Sequence, residues 1–266
     1  MTYPLAGDLA HAVARLRAAG CVFAEDEAAL LAHAARSRDE LDAMIARRAD
    51  GVPVEQIVGW AEFCGLRVVV EPGVFVPRRR TEQLAKTAAA HASSGSVVVD
   101  LCCGSGAVGL AVATMAPGVQ LHAVDIDPAA VRCARRNLAA VAGHVYEGDL
   151  FRPLSVGLIG AVDVLTVNAP YVPTDQVPLL PPEARVHEPA VALDGGGDGL
   201  DVHRRVAGSV AMWLTPGGKL FAECNDRQGA TLREIYAAAG ESVEVIADDE
   251  SKTAIVMLTA SRGRGG

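Results

Sequence analysis

Two short stretches carry residue types whose spacing suits chemistry. The first is Asn168-Ala-Pro-Tyr171, which follows the hydrophobic run Asp163-Val-Leu-Thr-Val167. Pro170 fixes its own φ, so the turn can hold two oxygen acceptors in set geometry, the Asn168 side chain and the Ala169 carbonyl, with Tyr171 as a wall. Paired acceptors suit a planar NH2 group, although an Asn ending a buried strand can also simply cap it. The second stretch is Val97-Val-Val-Asp-Leu-Cys-Cys-Gly-Ser-Gly106, a hydrophobic strand that ends in an acid and runs through a glycine loop towards a helix. Gly104 and Gly106 permit backbone conformations and ligand approach that a Cβ would obstruct. Gly104-Ser-Gly106-Ala-Val-Gly109 also satisfies G-x-G-x-x-G, and Asp125 lies 21 residues after Gly104, which suits a dinucleotide fingerprint. A nicotinamide-dependent oxidoreductase is therefore one reading. Asp100 argues against it: a carboxylate at the strand end, four residues before Gly104, repels the pyrophosphate such a loop must cradle and attracts a cation.

Neighbouring residues read more plainly. Asp127-Pro128 fits a helix start, Asp as the cap and Pro in the first turn. Asp149 follows a glycine, where an acid is often only a turn or cap residue. The vicinal Cys102-Cys103 pair has no positive neighbour to form a thiolate and reads as small-residue filling of a tight loop. The other four cysteines, Cys21, Cys64, Cys133 and Cys224, form no C-x-x-C pair or Cys/His cluster at zinc spacing, so no metal is expected.

These residues need a frame. Strand candidates are Val97–Asp100, Gln120–Asp125, His144–Glu147, Val162–Asn168, Lys219–Glu223, Val243–Ala247 and Thr253–Thr259; helical stretches are Ala107–Met115, Pro128–Val141, Leu200–Leu214 and Gly229–Ala239. Alternating helices and Val-rich strands predict an α/β fold with a mostly parallel sheet covered on both faces. Before it, three apolar faces predict short helices: Leu9, Val13 and Leu16; Ala29, Leu30, Ala32 and His33; Leu41, Met44 and Ile45. Asp26 and Asp39 suit helix starts. Leu66–Val70, the turn Glu71-Pro-Gly73 and Val74–Val76 predict a β-hairpin, so a small helical cap is joined by a hairpin to the larger unit. The tail Ser261–Gly266 reads as a frayed end.

Composition narrows the class. Half of the 266 residues are apolar and the net charge is −8, which excludes a disordered chain. An acidic protein with only 4% aromatic residues is poorly suited to gripping nucleic acid. No apolar run is long enough for a membrane span, and Met1–Asp8 lacks the pattern of a signal peptide. A cytoplasmic protein with reduced thiols is expected.

The D-x-x-x-G-x-G spacing from Asp100 to Gly106 resembles motif I of class I S-adenosylmethionine methyltransferases. Asn168-Ala-Pro-Tyr171 resembles the N-P-P-Y motif of methyltransferases that act on amide or exocyclic amino nitrogens, Ala169 replacing the first Pro. Further matches are dispersed in order: Val54-Glu-Gln-Ile-Val-Gly59, Glu62-Phe63, Gly65-Leu66, Pro72-Gly73, Val76-Pro-Arg-Arg-Arg-Thr-Glu82, His187-Glu-Pro189, Ala192-Leu-Asp-Gly-Gly196, Asp198-Gly-Leu-Asp201 with Arg204-Arg205, and Glu223 with Gln228-Gly229. Over nearly its whole length the chain resembles the HemK/PrmC family of protein-(glutamine-N5) methyltransferases, which modify the Gly-Gly-Gln motif of peptide chain release factors.

The resemblance implies a class I Rossmann-like, mostly parallel seven-stranded sheet over residues 81–260, a substrate-recognising helical domain over 1–58, a hairpin linker over 59–80 and a flexible tail over 261–266. It implies S-adenosylmethionine as cofactor, S-adenosylhomocysteine as product and a transiently bound release factor as partner. By the same resemblance the cofactor is bound by Asp100, Cys102, Gly104, Gly106, Asp125 (on the ribose hydroxyls), Ile126, Asp149 and Leu150 (beside the adenine) and Asn168. Asn168, Ala169, Pro170 and Tyr171 form the catalytic turn. The chain departs from the family at Arg79-Arg80, where the family has Pro-Glu; at Cys102, where it has Gly; and in a shortened cap around Ser37-Arg-Asp-Glu40. Arg78, Arg79 and Arg80 otherwise read as a solvated basic turn. Methylation of an RNA or DNA amino group is the nearest alternative, ahead of the oxidoreductase and of a non-catalytic cofactor-binding protein.

Overall fold

Four helices open the chain in the computed structural model, which describes residues 6–248 and 252–261. They are α1 (Ala6–Ala18), α2 (Ala24–Ala34), α3 (Arg38–Ala49) and the short α4 (Val54–Val58). Leu16, Leu31, Leu41 and Ile45 meet in a small core of their own. The buried stripe of α2 is Ala24, Ala28, Leu31 and Ala32, while Ala29 and His33, expected to face inward, are exposed. Alanines stand on both sides of this helix, so apolar character alone does not fix its rotation. Ser37 caps α3, its hydroxyl accepting from the Glu40 amide at 3.2 Å, while Glu40 reaches back to the Arg36 amide at 2.7 Å. Asp39 and Asp26 thus lie in first turns rather than at caps, where a negative charge still favours the helix dipole.

The hairpin differs from the expectation. Strands β1 (Trp60–Phe63) and β2 (Leu66–Val69) pair antiparallel, turning at Cys64 and Gly65, whose φ values are 51° and 71°. Two consecutive positive φ angles are what a tight hairpin turn requires. Leu66–Val69 therefore pairs with the residues before it, not with Val74–Val76. Val74 lies in the bend after Glu71-Pro-Gly73, and Val76 lies outside any strand, where it fills a small apolar cluster with Ala61 and Val70.

The larger unit comprises α5 (Glu82–Ala89), β3 (Val97–Leu101), α6 (Ala107–Met115), β4 (Gln120–Asp125), α7 (Pro128–Leu138), β5 (His144–Glu147), β6 (Val162–Val167), α8 (Pro182–His187), α9 (Asp201–Trp213), β7 (Leu214–Asn225), α10 (Gly229–Ala237), β8 (Ser242–Asp248) and β9 (Thr253–Thr259). The sheet order is β5-β4-β3-β6-β7-β9-β8. Strands β3 to β7 are parallel and β9 runs antiparallel to both its neighbours. Successive residues of β3 serve opposite cores. Val99 packs with Trp213 of α9 and Tyr236 of α10, and Val98 packs with Leu84 of α5 and Leu138 of α7. Strand β7 extends well beyond the expected Lys219–Glu223 by continuing through Pro216-Gly-Gly218, where its pairing with β6 shifts register.

Strand order reverses between β3 and β6. In such sheets ligands bind beyond the carboxyl ends of the strands at the reversal, and β3 and β6 carry the two stretches singled out above. No helix among the described residues is long and apolar enough to cross a membrane. The expected frayed tail falls largely on residues 262–266, outside the described residues.

Candidate active site

A cavity of about 580 Å³ opens at this reversal, within the usual size of small-molecule sites. One end is built from the turns after β3, β4 and β5. Asp100 is 1% exposed; the Gly109 amide donates to Oδ2 at 3.0 Å and the Thr166 hydroxyl to Oδ1 at 2.8 Å. Burial pushes its carboxyl up to about 7, against the pull of those two hydrogen bonds. A Cβ at Gly109 would come within 3.2 Å of the same carboxylate, so the third glycine of the loop serves this close approach. Cys102, Gly104 and Gly106 have φ of 56°, 55° and 79°. Cys102 therefore bears the left-handed strain that glycine, the family's residue there, avoids. Burial and the nearby Asp125 and Asp100 carboxylates push both the Cys102 and the Cys103 thiol up, which keeps them protonated and leaves thiolate chemistry out.

Asp125 ends β4. Its Oδ2 accepts from the Gly104 amide at 2.8 Å and its Oδ1 from the Asp127 amide at 2.9 Å, and burial pushes its carboxyl up. Asp127 caps α7 through the Ala129 amide at 2.8 Å. Ile126 stays 53% exposed beside the cavity. After β5, Leu150 adopts φ of 51°, and Asp149 is held by Arg205 at 2.5 Å. Four carboxylates, Asp100, Asp125, Asp127 and Asp149, thus line one end, and the Arg205 guanidinium there is committed to Asp149. That donor set disfavours a pyrophosphate and fits a ligand with a positive centre and free hydroxyls, as S-adenosylmethionine has.

The other end is the turn after β6. Asn168 lines the cavity and its Nδ2 donates to the Thr81 hydroxyl at 3.4 Å. Neither Asn168 Oδ1 nor the Ala169 carbonyl takes a hydrogen bond from any described residue. Two acceptors are therefore left open at a walled site. Burial pushes the Tyr171 phenol up, and its hydroxyl accepts from Arg80 Nη2 at 2.8 Å.

The signature segments far along the chain converge on this turn, a role that sequence matching left unassigned. Gln228 Nε2 donates to the Tyr171 carbonyl at 2.9 Å. Gly195 and Gly199 lie so close that a Cβ on them would fall 2.6 Å from the Pro170 carbonyl oxygen and 2.2 Å from that of Tyr171. Thr81 donates to Glu223 at 3.0 Å. Arg78 is no solvated turn residue: its Nη2 contacts both Glu188 oxygens at 2.6 and 2.7 Å, and the Glu188 side chain is fully buried. Arg79 is exposed. The segment between β6 and α9 also touches the helical unit. Arg48 of α3 pairs with Glu183 of α8 at 3.0 Å, and Gln56 of α4 donates to the His187 carbonyl at 3.3 Å.

Comparison with known proteins agrees with this geometry. Residues 65–208 match the family described as "Methyltransferase small domain". The chain is 38% identical over 221 residues to the release factor glutamine methyltransferase of Mycolicibacterium smegmatis, covering 82% of this chain and 78% of that one. It is 34% identical over 203 residues to the 4-amino-L-phenylalanine/4-methylamino-L-phenylalanine methyltransferase of Streptomyces pristinaespiralis, covering 74% and 69%. Among solved structures, the Thermus thermophilus 16S rRNA N2 G1207 methyltransferase in complex with AdoMet and guanosine superposes with a TM-score of 0.56 at 19% identity, over 76% of this chain and 49% of that one. That likeness shows the class I methyltransferase fold. By sequence relationship, the chain belongs to the release factor glutamine methyltransferase family of S-adenosylmethionine-dependent enzymes.

Proposed function

We propose that the protein transfers the methyl group of S-adenosylmethionine to the side-chain amide nitrogen of a glutamine, that of the Gly-Gly-Gln motif of a peptide chain release factor, leaving S-adenosylhomocysteine. The observation that carries this reading is the open pair of acceptors, Asn168 Oδ1 and the Ala169 carbonyl, in the cavity wall at the turn after β6. Bound S-adenosylmethionine supplies an electrophilic methyl carbon on a positively charged sulfur, held at the carboxylate-lined end.

The chain's own residues then have defined tasks. Asp125 accepts from ribose hydroxyls, with Ile126, Asp149 and Leu150 around the adenine and Asp100, Cys102, Gly104 and Gly106 shaping the loop beneath. Asn168 Oδ1 and the Ala169 carbonyl each accept one N–H of the acceptor amide. That grip aims the nitrogen and favours a localised lone pair, and it stabilises the positive charge that grows on nitrogen. No base is required, because an amide nitrogen that has gained a fourth substituent is strongly acidic and gives up its proton to solvent as the methylated product leaves. Pro170 and Tyr171 wall the site against water. The helical unit over 1–58, joined through the hairpin over 59–80 to the transferase domain over 81–260, engages the protein acceptor, and release factors place the reaction in the cytoplasm.

The test is transfer of labelled methyl from S-adenosylmethionine to a purified release factor. Parallel reactions use the same factor with its Gly-Gly-Gln glutamine changed to alanine, a structured RNA and free 4-amino-L-phenylalanine. Label confined to the intact factor is the expected result. Label on the RNA or on the free amine, and none on the factor, overturns the glutamine assignment.

A further inference from the structure

A buried polar chain lies behind the acceptor turn. Asn168 Nδ2 donates to Thr81 Oγ1 at 3.4 Å, and Thr81 Oγ1 donates to Glu223 Oε1 at 3.0 Å. Thr81 and Glu223 are each 2% exposed, so water does not compete for these bonds. Thr81 has a single hydroxyl proton. An ionised Glu223 can only accept, so that proton goes to the carboxylate and the threonine oxygen offers only lone pairs to Asn168. Asn168 must answer with its NH2, which turns Oδ1 into the cavity. Protonating Glu223 reverses the order. Its own proton can pass to Thr81, the threonine proton is released to Asn168 Oδ1, and the amide flips to present NH2 where an acceptor N–H has to bind.

We propose that Thr81 and Glu223 are positioning residues for methyl transfer: together they set which end of the Asn168 amide faces the acceptor, and transfer requires Glu223 as carboxylate. The inference rests on the role given to Asn168 above. Burial pushes the Glu223 carboxyl up to about 7, with the Thr81 hydrogen bond and Arg80 opposing it, so the orientation is sensitive to pH near neutrality. The other groups facing Glu223 are quiet there. Burial pushes the Tyr171 phenol up and the Cys224 thiol up to about 12, while burial lowers His203 to about 4. Asp100, also pushed up to about 7, lies on the cofactor side and bonds Thr166 instead. Variants therefore separate the two carboxyls.

The experiment compares the wild type with Thr81→Val, Thr81→Ser and Glu223→Gln by pH–rate profile at saturating substrates. It also follows the Asn168 side-chain amide by 15N NMR in the protein without acceptor, the resonance being identified by its loss in Asn168→Ala. Wild-type kcat should fall on the acid side with a midpoint about one unit either side of 7. Thr81→Val should lose about tenfold to hundredfold in kcat with KM for S-adenosylmethionine unchanged, and Thr81→Ser should restore most of it. The Asn168 amide resonance should titrate with the same midpoint in the wild type and stay fixed in Glu223→Gln. Wild-type kcat in a folded Thr81→Val, or an amide titration that persists in Glu223→Gln, overturns the proposal. If Thr81→Val does not fold, the serine and glutamine variants decide. If the wild type labels no release factor, the glutamine reading fails while the amide resonance still decides this inference.

Discussion

An amide nitrogen shares its lone pair with the neighbouring carbonyl, so whatever methylates it must hold both N–H groups out of that conjugation. On the proposed reading Asn168 and Ala169 do this while Asp125 holds the cofactor, which gives a clean dissociation. Asn168→Ala should lower kcat by about 100-fold or more while leaving affinity for S-adenosylmethionine nearly intact. Asp125→Ala should weaken that affinity about a hundredfold or more, two hydroxyl contacts at a charged acceptor being worth about 1.5–3 kcal/mol each. Calorimetric titration and steady-state kinetics on both variants check the pair, and a swapped pattern would reverse the two assignments. Both residues are legible in the sequence because each ends or directly follows a hydrophobic run before a turn. Thr81, Glu223 and Gln228 could be matched as motif letters, but their tasks could not be read. Each acts on a partner 57 to 142 positions away, and no local pattern records that distance.

Among the elements, the strands were the most legible, since an alternation that feeds two cores leaves long apolar runs between turns. The hairpin was less so. Glu71-Pro-Gly73 has turn chemistry, yet the pairing formed one turn earlier, at Cys64-Gly65. Besides the packing of Phe63 and Val68 into the larger unit's core, a buried asparagine in α7 that carries no sequence signal holds that hairpin in place. Asn137 Oδ1 accepts from the Val69 amide at 2.8 Å; its Nδ2 donates to the Val69 carbonyl at 2.9 Å and to the Ser105 carbonyl at 2.8 Å. One side chain thus ties β2 to the glycine loop after β3. Asn137→Ala strands the Val69 amide and the Ser105 carbonyl, the Val69 carbonyl keeping the Cys133 thiol at 3.2 Å, and should cost about 2 kcal/mol of stability, read by urea denaturation, with weaker S-adenosylmethionine binding as a companion effect. A loss below about 1 kcal/mol would mean water replaces the amide.

For the molecule as a whole, the buried carboxyls set a pH dependence. Glu223 sits near 7 in the folded chain against an ordinary 4.5, so the folded state keeps a proton that the unfolded state releases between those values. Its contribution to stability is complete below the lower value and is lost as pH rises through the upper one. The loss is on the order of 3 kcal/mol at about 1.4 kcal/mol per unit. Glu223→Gln removes that ionisation, so its stability relative to the wild type should improve between pH 5 and pH 8, as denaturation curves at the two values will show. The same difference at both would refute the assignment. His203 titrates in the opposite sense, but equally in both proteins, and cancels. By this account the carboxylate that aims Asn168 is retained at the expense of the fold.

The convergence of distant segments on one turn also orders events in time. The carboxylate-lined end is built on β3, β4 and β5, neighbours in the chain that pair in succession, and is completed by Thr166 of β6 and Arg205 of α9, whereas the acceptor turn is finished only by residues on β7 and just after it. Contacts between remote positions close late because their loop entropy is paid before they return anything. A nascent or partly opened chain therefore holds a cradle for the methyl donor before it holds a grip for the acceptor. Fraying of β7 would disarm the enzyme without emptying it.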